Sequence, residues 1–142
     1  MYTSETFVRV RYGETDQMGY VYYGVYAMYY EVARVESLRQ LGLTYRELEE
    51  MGVLMPVLEN HSKFLAPGRY DDLLRIVTRL RERPGVKIRF EYEIFNESNA
   101  LIHQGETLLV FMDRKTNRPC RPPQAMLDVL APYFPTKSSV TQ

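Results

Sequence analysis

Asp16 stands in a loop bounded by Gly13 and Gly19, between an alternating stretch and a run of tyrosines. A carboxylate there can bond its own backbone as a turn residue, or it can act as a base or nucleophile. Other groups with chemistry to offer are sparse. Cys120 has no base partner in its proline-rich loop, which argues against a thiol nucleophile. His61 and His103 each sit in a strand pattern without a spaced Cys, Asp or His, so no metal site is expected. Local hydrogen bonding is the simpler reading for both histidines. There is no glycine-rich phosphate loop, serine elbow or zinc-binding helix motif. What remains is acid or base chemistry by few groups, with no cofactor called for.

The elements around Asp16 follow from periodicity. Residues 6–12 (T-F-V-R-V-R-Y) alternate as a half-buried strand. A helix is expected from about Tyr23 to Leu41, with Val25, Met28, Val32, Val35 and Leu38 on its apolar face, ended by Gly42. Within it, Glu31 and Arg34 are three apart on one helical face and read as a structural ion pair rather than part of the reaction. Thr44 and Glu47 form a capping box that opens a short second helix. Strands are then expected over about Met55–Phe64, Asp72–Arg81, Val86–Asn96 and Leu101–Met112, the last broken by Gly105. A short helix spans Gln124–Tyr133. The order predicts an α+β fold in which one long helix is wrapped by an antiparallel sheet. Residues 1–135 are expected to form one domain, and 136–142 a disordered tail.

Composition excludes some classes. Lys+Arg and Asp+Glu both number 18, so no basic field favours nucleic acid. No apolar run approaches the ~20 residues of a membrane span. The single Cys120 and the absence of a signal-like start predict a cytoplasmic protein. The tyrosines crowded between Tyr20 and Tyr30 read as core or subunit interface, with one or two left to line a pocket.

Two blocks carry a family likeness. Tyr12-x-x-Thr15-Asp16-x-x-Gly19-x-Val21-Tyr22-Tyr23-x-x-Tyr26, followed by Glu31-x-x-Arg34, resembles the signature of the hotdog-fold acyl-CoA thioesterases. Phe64-x-x-Pro67-x-x-x-Asp71-Asp72 is similar to a second stretch of that family. The nearest branch resembles the 4-hydroxybenzoyl-CoA thioesterases and the short acyl-CoA thioesterases linked to the Tol-Pal system. The likeness covers roughly residues 5 to 132.

The resemblance implies hydrolysis of an acyl-CoA to free acid and CoA, with Asp16 as the essential acid. It implies the Tyr23 backbone N–H as oxyanion donor and a close approach of substrate at Gly19. It implies a homodimer or homotetramer with sites at the subunit interface, where Asn60 and His61 would reach the neighbour's site. Arg83 and Lys87, from the cationic run around Pro84-Gly85, are the candidates for CoA phosphates. Many members carry His at the position of Tyr23, and Asn at that of Val25; here both are less polar. A non-catalytic acyl-CoA or acyl-carrier-protein binding module is the alternative. A dehydratase of the same fold would want a histidine before Asn60, and there is none.

Overall fold

The computed structural model describes residues 1–135. The tail expected to be disordered, 136–142, lies outside the described residues. The elements are β1 (Tyr2–Arg9), a 3-10 turn (Tyr12–Glu14), α1 (Val25–Arg39), α2 (Tyr45–Glu50), β2 (Val53–Leu54), β3 (Val57–Phe64), β4 (Leu73–Leu80), β5 (Lys87–Phe95), β6 (Leu101–Val110), β7 (Met112–Asp113), α3 (Gln124–Leu130) and a closing 3-10 turn (Ala131–Tyr133). Five strands form one antiparallel sheet in the order β1-β4-β5-β6-β3, and β2 pairs with β7. Helix α1 lies across this sheet. Among the described residues no helix is long and apolar enough to cross a membrane.

Several boundaries differ from expectation. The first strand begins at Tyr2 and stops at Arg9, because Tyr12 enters the 3-10 turn and is 81% exposed. The expected Met55–Phe64 strand is interrupted at Met55-Pro56, leaving the two-residue β2 before β3. Strand β6 runs unbroken through Gly105. The capping box stands as read: Thr44 Oγ1 accepts the Glu47 amide at 3.1 Å, and Glu47 accepts the Thr44 amide at 2.9 Å.

The larger correction concerns the buried face of α1. It consists of Tyr26, Tyr29, Tyr30, Ala33, Arg34, Ser37 and Leu38, while Met28 and Val32 are exposed. The tyrosines go inside because each hydroxyl that is desolvated can find a partner there, so the ring's apolar area is buried at little polar cost. Arg34 goes with them and forms no ion pair with Glu31; its guanidinium donates to the Tyr92 and Thr107 hydroxyls. Opposite the helix, the sheet supplies Leu74, Ile76, Leu80, Ile88, Phe90, Ile94 and Leu109, all buried.

The outer face of the sheet is charged. Arg75 pairs with Glu5, Arg79 with Glu93, Arg81 with Glu91 and Arg89 with Glu106. These cross-strand pairs account for most of the cationic run read in the sequence.

Candidate active site

The Asp16 loop is built on its own backbone. Asp16 Oδ1 accepts the amides of Met18 at 2.9 Å and Tyr20 at 3.1 Å. The Asp16 amide donates to the Tyr20 carbonyl at 2.8 Å, and the Gly19 amide to the Asp16 carbonyl at 3.0 Å. Gly19 has φ +80°, a conformation that only glycine adopts freely, and this closes the turn. The turn-residue reading of Asp16 therefore holds for one carboxylate oxygen. Its Oδ2 accepts no hydrogen bond from the described residues.

Two further attachments fix the loop. The first is Glu14, a buried acid that sequence reasoning passed over. Its carboxylate accepts the Arg11 amide at 2.9 Å, the Arg11 guanidinium, and the Tyr29 hydroxyl at 2.8 Å. Its carbonyl accepts the Tyr22 amide at 2.9 Å. Burial opposes the charge, but the Arg11 amide, the Arg11 guanidinium and the Tyr29 hydroxyl outweigh it and hold the Glu14 carboxyl below the usual range. The sequence signal was slight: an acid two residues before Asp16, with nothing to say that it points inward.

The second attachment joins the two sequence blocks. The Val21 amide donates to the Gly68 carbonyl at 2.8 Å, and Tyr20 bridges Arg69, whose guanidinium lies 4.9 Å from the Tyr20 ring centroid. A Cβ at Gly68 would stand 3.0 Å from a Val21 methyl, so the glycine permits this contact. The Asp72 carboxylate accepts the Arg69 amide at 2.9 Å, and the Asp72 carbonyl accepts the Val10 amide at 2.9 Å. The Phe64–Asp72 block thus buttresses the Asp16 loop.

The loop delivers the chain to the N-terminus of α1. Gly24 caps the helix without a side-chain acceptor. The amides of Tyr23 and Gly24 donate to no acceptor among the described residues, whereas Tyr22 and Val25 on either side are bonded. Free N–H groups at the positive end of a helix dipole are suited to a developing oxyanion. The Tyr23 ring is exposed, tilted against Tyr22 with centroids 4.5 Å apart.

The remaining candidates are distributed unevenly. Asn60 and Ser62 turn toward the helix side of β3: Thr107 donates to Asn60 Oδ1 at 2.7 Å, and Tyr30 bonds Ser62 at 2.6 Å. His61 turns the other way, against Glu59 at 2.8 Å. Arg83 and Lys87 flank the β4–β5 turn, at the opposite end of the sheet from Asp16. Arg9 pairs with Leu73 at the Asp16 end and Tyr2 with Leu80 at the other, a length of ~26 Å for eight residues. One chain does not bring these cations to Asp16. Among the described residues no cluster of His, Cys, Asp and Glu is arranged to hold a metal ion.

Beneath the site, His103 is fully buried. It stacks on Tyr26 with centroids 3.9 Å apart and shares a 2.5 Å hydrogen bond with Tyr30, which leaves its Nδ1 unpartnered. Burial pushes its pKa down to about 4. Phe64 packs edge-on to both Tyr26 and His103.

The chain resembles known proteins over nearly its whole length. Residues 10–130 match the model of the thioesterase-like superfamily. The chain is 30% identical over 137 residues to the putative acyl-CoA thioesterase YneP of Bacillus subtilis, covering 96% of this chain and 99% of that one. It is 33% identical to the acyl-CoA thioester hydrolase YbgC of Escherichia coli over 120 residues, covering 84% and 90% of the two chains. Among solved structures, DHNA-CoA thioesterase from Staphylococcus aureus superimposes with a TM-score of 0.82 at 32% identity, covering 94% of this chain and 86% of that one. With the long helix laid across a five-stranded antiparallel sheet, the chain belongs to the thioesterase-like superfamily and has its hotdog fold.

Proposed function

We propose that the protein hydrolyses acyl-CoA thioesters, with Asp16 as the reactive carboxylate and the Tyr23 amide as the oxyanion donor. The observation that carries this is that one loop and the helix it enters hold two groups without partners among the described residues: Asp16 Oδ2, and the amides at the uncapped start of α1. Oδ2 either attacks the thioester carbonyl, giving an acyl–Asp16 anhydride that water then cleaves to free acid and the Asp16 carboxylate, or takes the proton of a water that attacks the carbonyl. Either route places negative charge on the carbonyl oxygen, where the amide stabilises it, and expels CoA as a thiolate. The Glu14 and Gly68 attachments hold the loop in position before substrate arrives.

The active unit in this reading is at least a dimer. All eight residues of the edge strand β3 are exposed, including Val57, Leu58 and Phe64, and a long open edge of this kind pairs readily with another strand. Antiparallel pairing of two β3 strands would carry the partner's β4–β5 turn toward this chain's Asp16 end. Arg83 and Lys87 would then serve the neighbour's CoA, which no single chain allows. The single, partly buried Cys120 supports a cytoplasmic location.

The experiment is hydrolysis of short, long and aromatic acyl-CoAs, and of acyl-carrier-protein thioesters, by wild type, Asp16→Asn and Asp16→Ala. The wild type turns over at least one class, and both variants lose about 10²–10⁴-fold in kcat. No turnover of any thioester defeats the enzyme reading; ligand-dependent thermal stabilisation without turnover would identify a binding module instead. Full activity in Asp16→Asn defeats the assignment of Asp16.

A further inference from the structure

The helix side of the β3 edge is graded. Phe64 lies on Tyr26 in the first turns of α1, Ser62 meets Tyr30, and Asn60 connects through Thr107 to Arg34. Asn60 is four residues along β3 from Phe64, about 13 Å from it. An acyl group entering at the Tyr23 amide and running along the helix-facing side of β3, beside the paired partner strand, would meet an aromatic end first and an amide last.

The orientation of that amide follows from a count of protons. Tyr92 Oη accepts from Arg34 at 3.1 Å and donates to Thr107 Oγ1 at 2.8 Å. Thr107 Oγ1 also accepts from Arg34 at 3.2 Å. Both lone pairs of the threonine are then occupied, and its one proton must be given away. It goes to Asn60 at 2.7 Å, so Asn60 must offer its oxygen inward. The Nδ2 group therefore faces the open side of β3, and neither of its protons is used by the described residues. Asn60 is fixed as a donor.

The relay begins at a costly group. Arg34 is 5% exposed, and no carboxylate pairs with it among the described residues. Its Nε has no hydrogen bond. Burying a permanent cation without a counter-ion opposes folding. Stability gives no reason for it; orientation of one exposed amide does.

We propose that Asn60 is a specificity-determining residue: its amide reads a hydrogen-bond-accepting oxygen on the acyl group, remote from the thioester, with Thr107, Tyr92 and Arg34 as positioning residues. The proposal rests on the thioesterase reading above. The substrate class is an oxygen-bearing acyl-CoA rather than a plain alkanoyl-CoA of the same length.

The test uses methyl-ketone acyl-CoAs, whose ketone only accepts: 5-oxohexanoyl-, 7-oxooctanoyl- and 9-oxodecanoyl-CoA, each against its unsubstituted counterpart. At one length the wild type favours the ketone about tenfold in kcat/KM, worth ~1.4 kcal/mol. Asn60→Asp, which keeps the shape but exchanges donors for acceptors, erases that ratio. Thr107→Val frees the amide to turn over and lowers the ratio, chiefly through KM for the ketone. A merely structural role would reduce both members of a pair equally and leave the ratio alone. Should Thr107→Val fold poorly, the exposed Asn60→Asp carries the test by itself. Equal rates at every length, or a ratio that survives Asn60→Asp, overturn the proposal. So does an Asn60→Asp variant that changes the sedimentation of the protein while leaving the ratio intact, since the amide would then serve the subunit contact. If neither member of any pair is hydrolysed, the proposal falls; the thioesterase reading falls with it only if the short, long, aromatic and carrier-protein thioesters are not turned over either, which separates the two failures.

Discussion

The Tyr29 hydroxyl, one turn into α1, donates to Glu14 at 2.8 Å, and the same glutamate accepts the Tyr22 amide through its carbonyl. One residue thus ties the loop before Asp16 to both the entrance and the body of the helix. Glu14→Ala is expected to lower unfolding free energy by about 2–3 kcal/mol, because it strands a buried hydroxyl and removes charge-assisted bonds. It should also cut kcat at least tenfold by loosening the Tyr23 amide. Tyr29→Phe removes one of these bonds and should cost ~1–2 kcal/mol. Urea titration and steady-state kinetics on both variants check this; wild-type kcat in Glu14→Ala would refute the positioning role.

His103 makes the fold sensitive to mild acid. In the unfolded chain it takes a proton near its ordinary pKa of 6.5, and in the folded protein only at about 4. Between these values the unfolded state binds more protons, so stability falls as pH falls from 6.5 toward 4. Its neighbours Tyr26, Tyr30 and Phe64 offer no counter-charge. Urea midpoints measured from pH 7 to 4 should decline in the wild type, and decline less in His103→Gln. An unchanged slope in the variant would exclude His103 as the cause.

Gly105 faces Tyr30 at close range: a Cβ there would stand 2.1 Å from the Tyr30 hydroxyl oxygen and 2.4 Å from its Cζ. Gly105→Ala is therefore expected to destabilise by about 3 kcal/mol or more through overpacking, although alanine suits a strand better than glycine does. Thermal unfolding of this variant is the measurement, and a neutral result would mean that Tyr30 has another place to go.

The open β3 edge leads to a prediction about assembly. Leu58 is 49% exposed on that strand, and Leu58→Lys places a charge where a partner strand would pair. If the proposed dimer holds, sedimentation should report a smaller species than the wild type, and KM for acyl-CoA should rise because the proposed contribution of Arg83 and Lys87 to the neighbouring site is lost. A variant that sediments as the wild type would move the subunit contact elsewhere.

The strands were legible because their alternation matched one buried and one charged face; Ile88, Phe90, Tyr92 and Ile94 against Lys87, Arg89, Glu91 and Glu93 is the plainest case. Asp16 was legible through its glycines and the blocks around it. The helix face was not. Hydropathy favoured Met28 and Val32, and the structure instead buries Tyr29, Tyr30 and Arg34, whose polar tips meet Glu14, Ser62, His103, Tyr92 and Thr107. Those partners lie up to 73 residues away, so no local pattern announces them. Glu14 and the Asn60 relay were missed for the same reason. The distance between Arg83 and Asp16 was likewise hidden, because it depends on strand direction rather than on residue type.

Gly105 also acts as a gauge for the helix. Tyr30 fits only where the facing strand lacks a Cβ, so α1 has one axial setting and one rotation on the sheet. Tyr23 precedes Tyr30 by seven residues, two turns or ~10.5 Å. A notch in the middle of β6 thereby sets the axial position of the first amides of α1, and with it, in the proposed reading, the point at which a thioester carbonyl would come to rest.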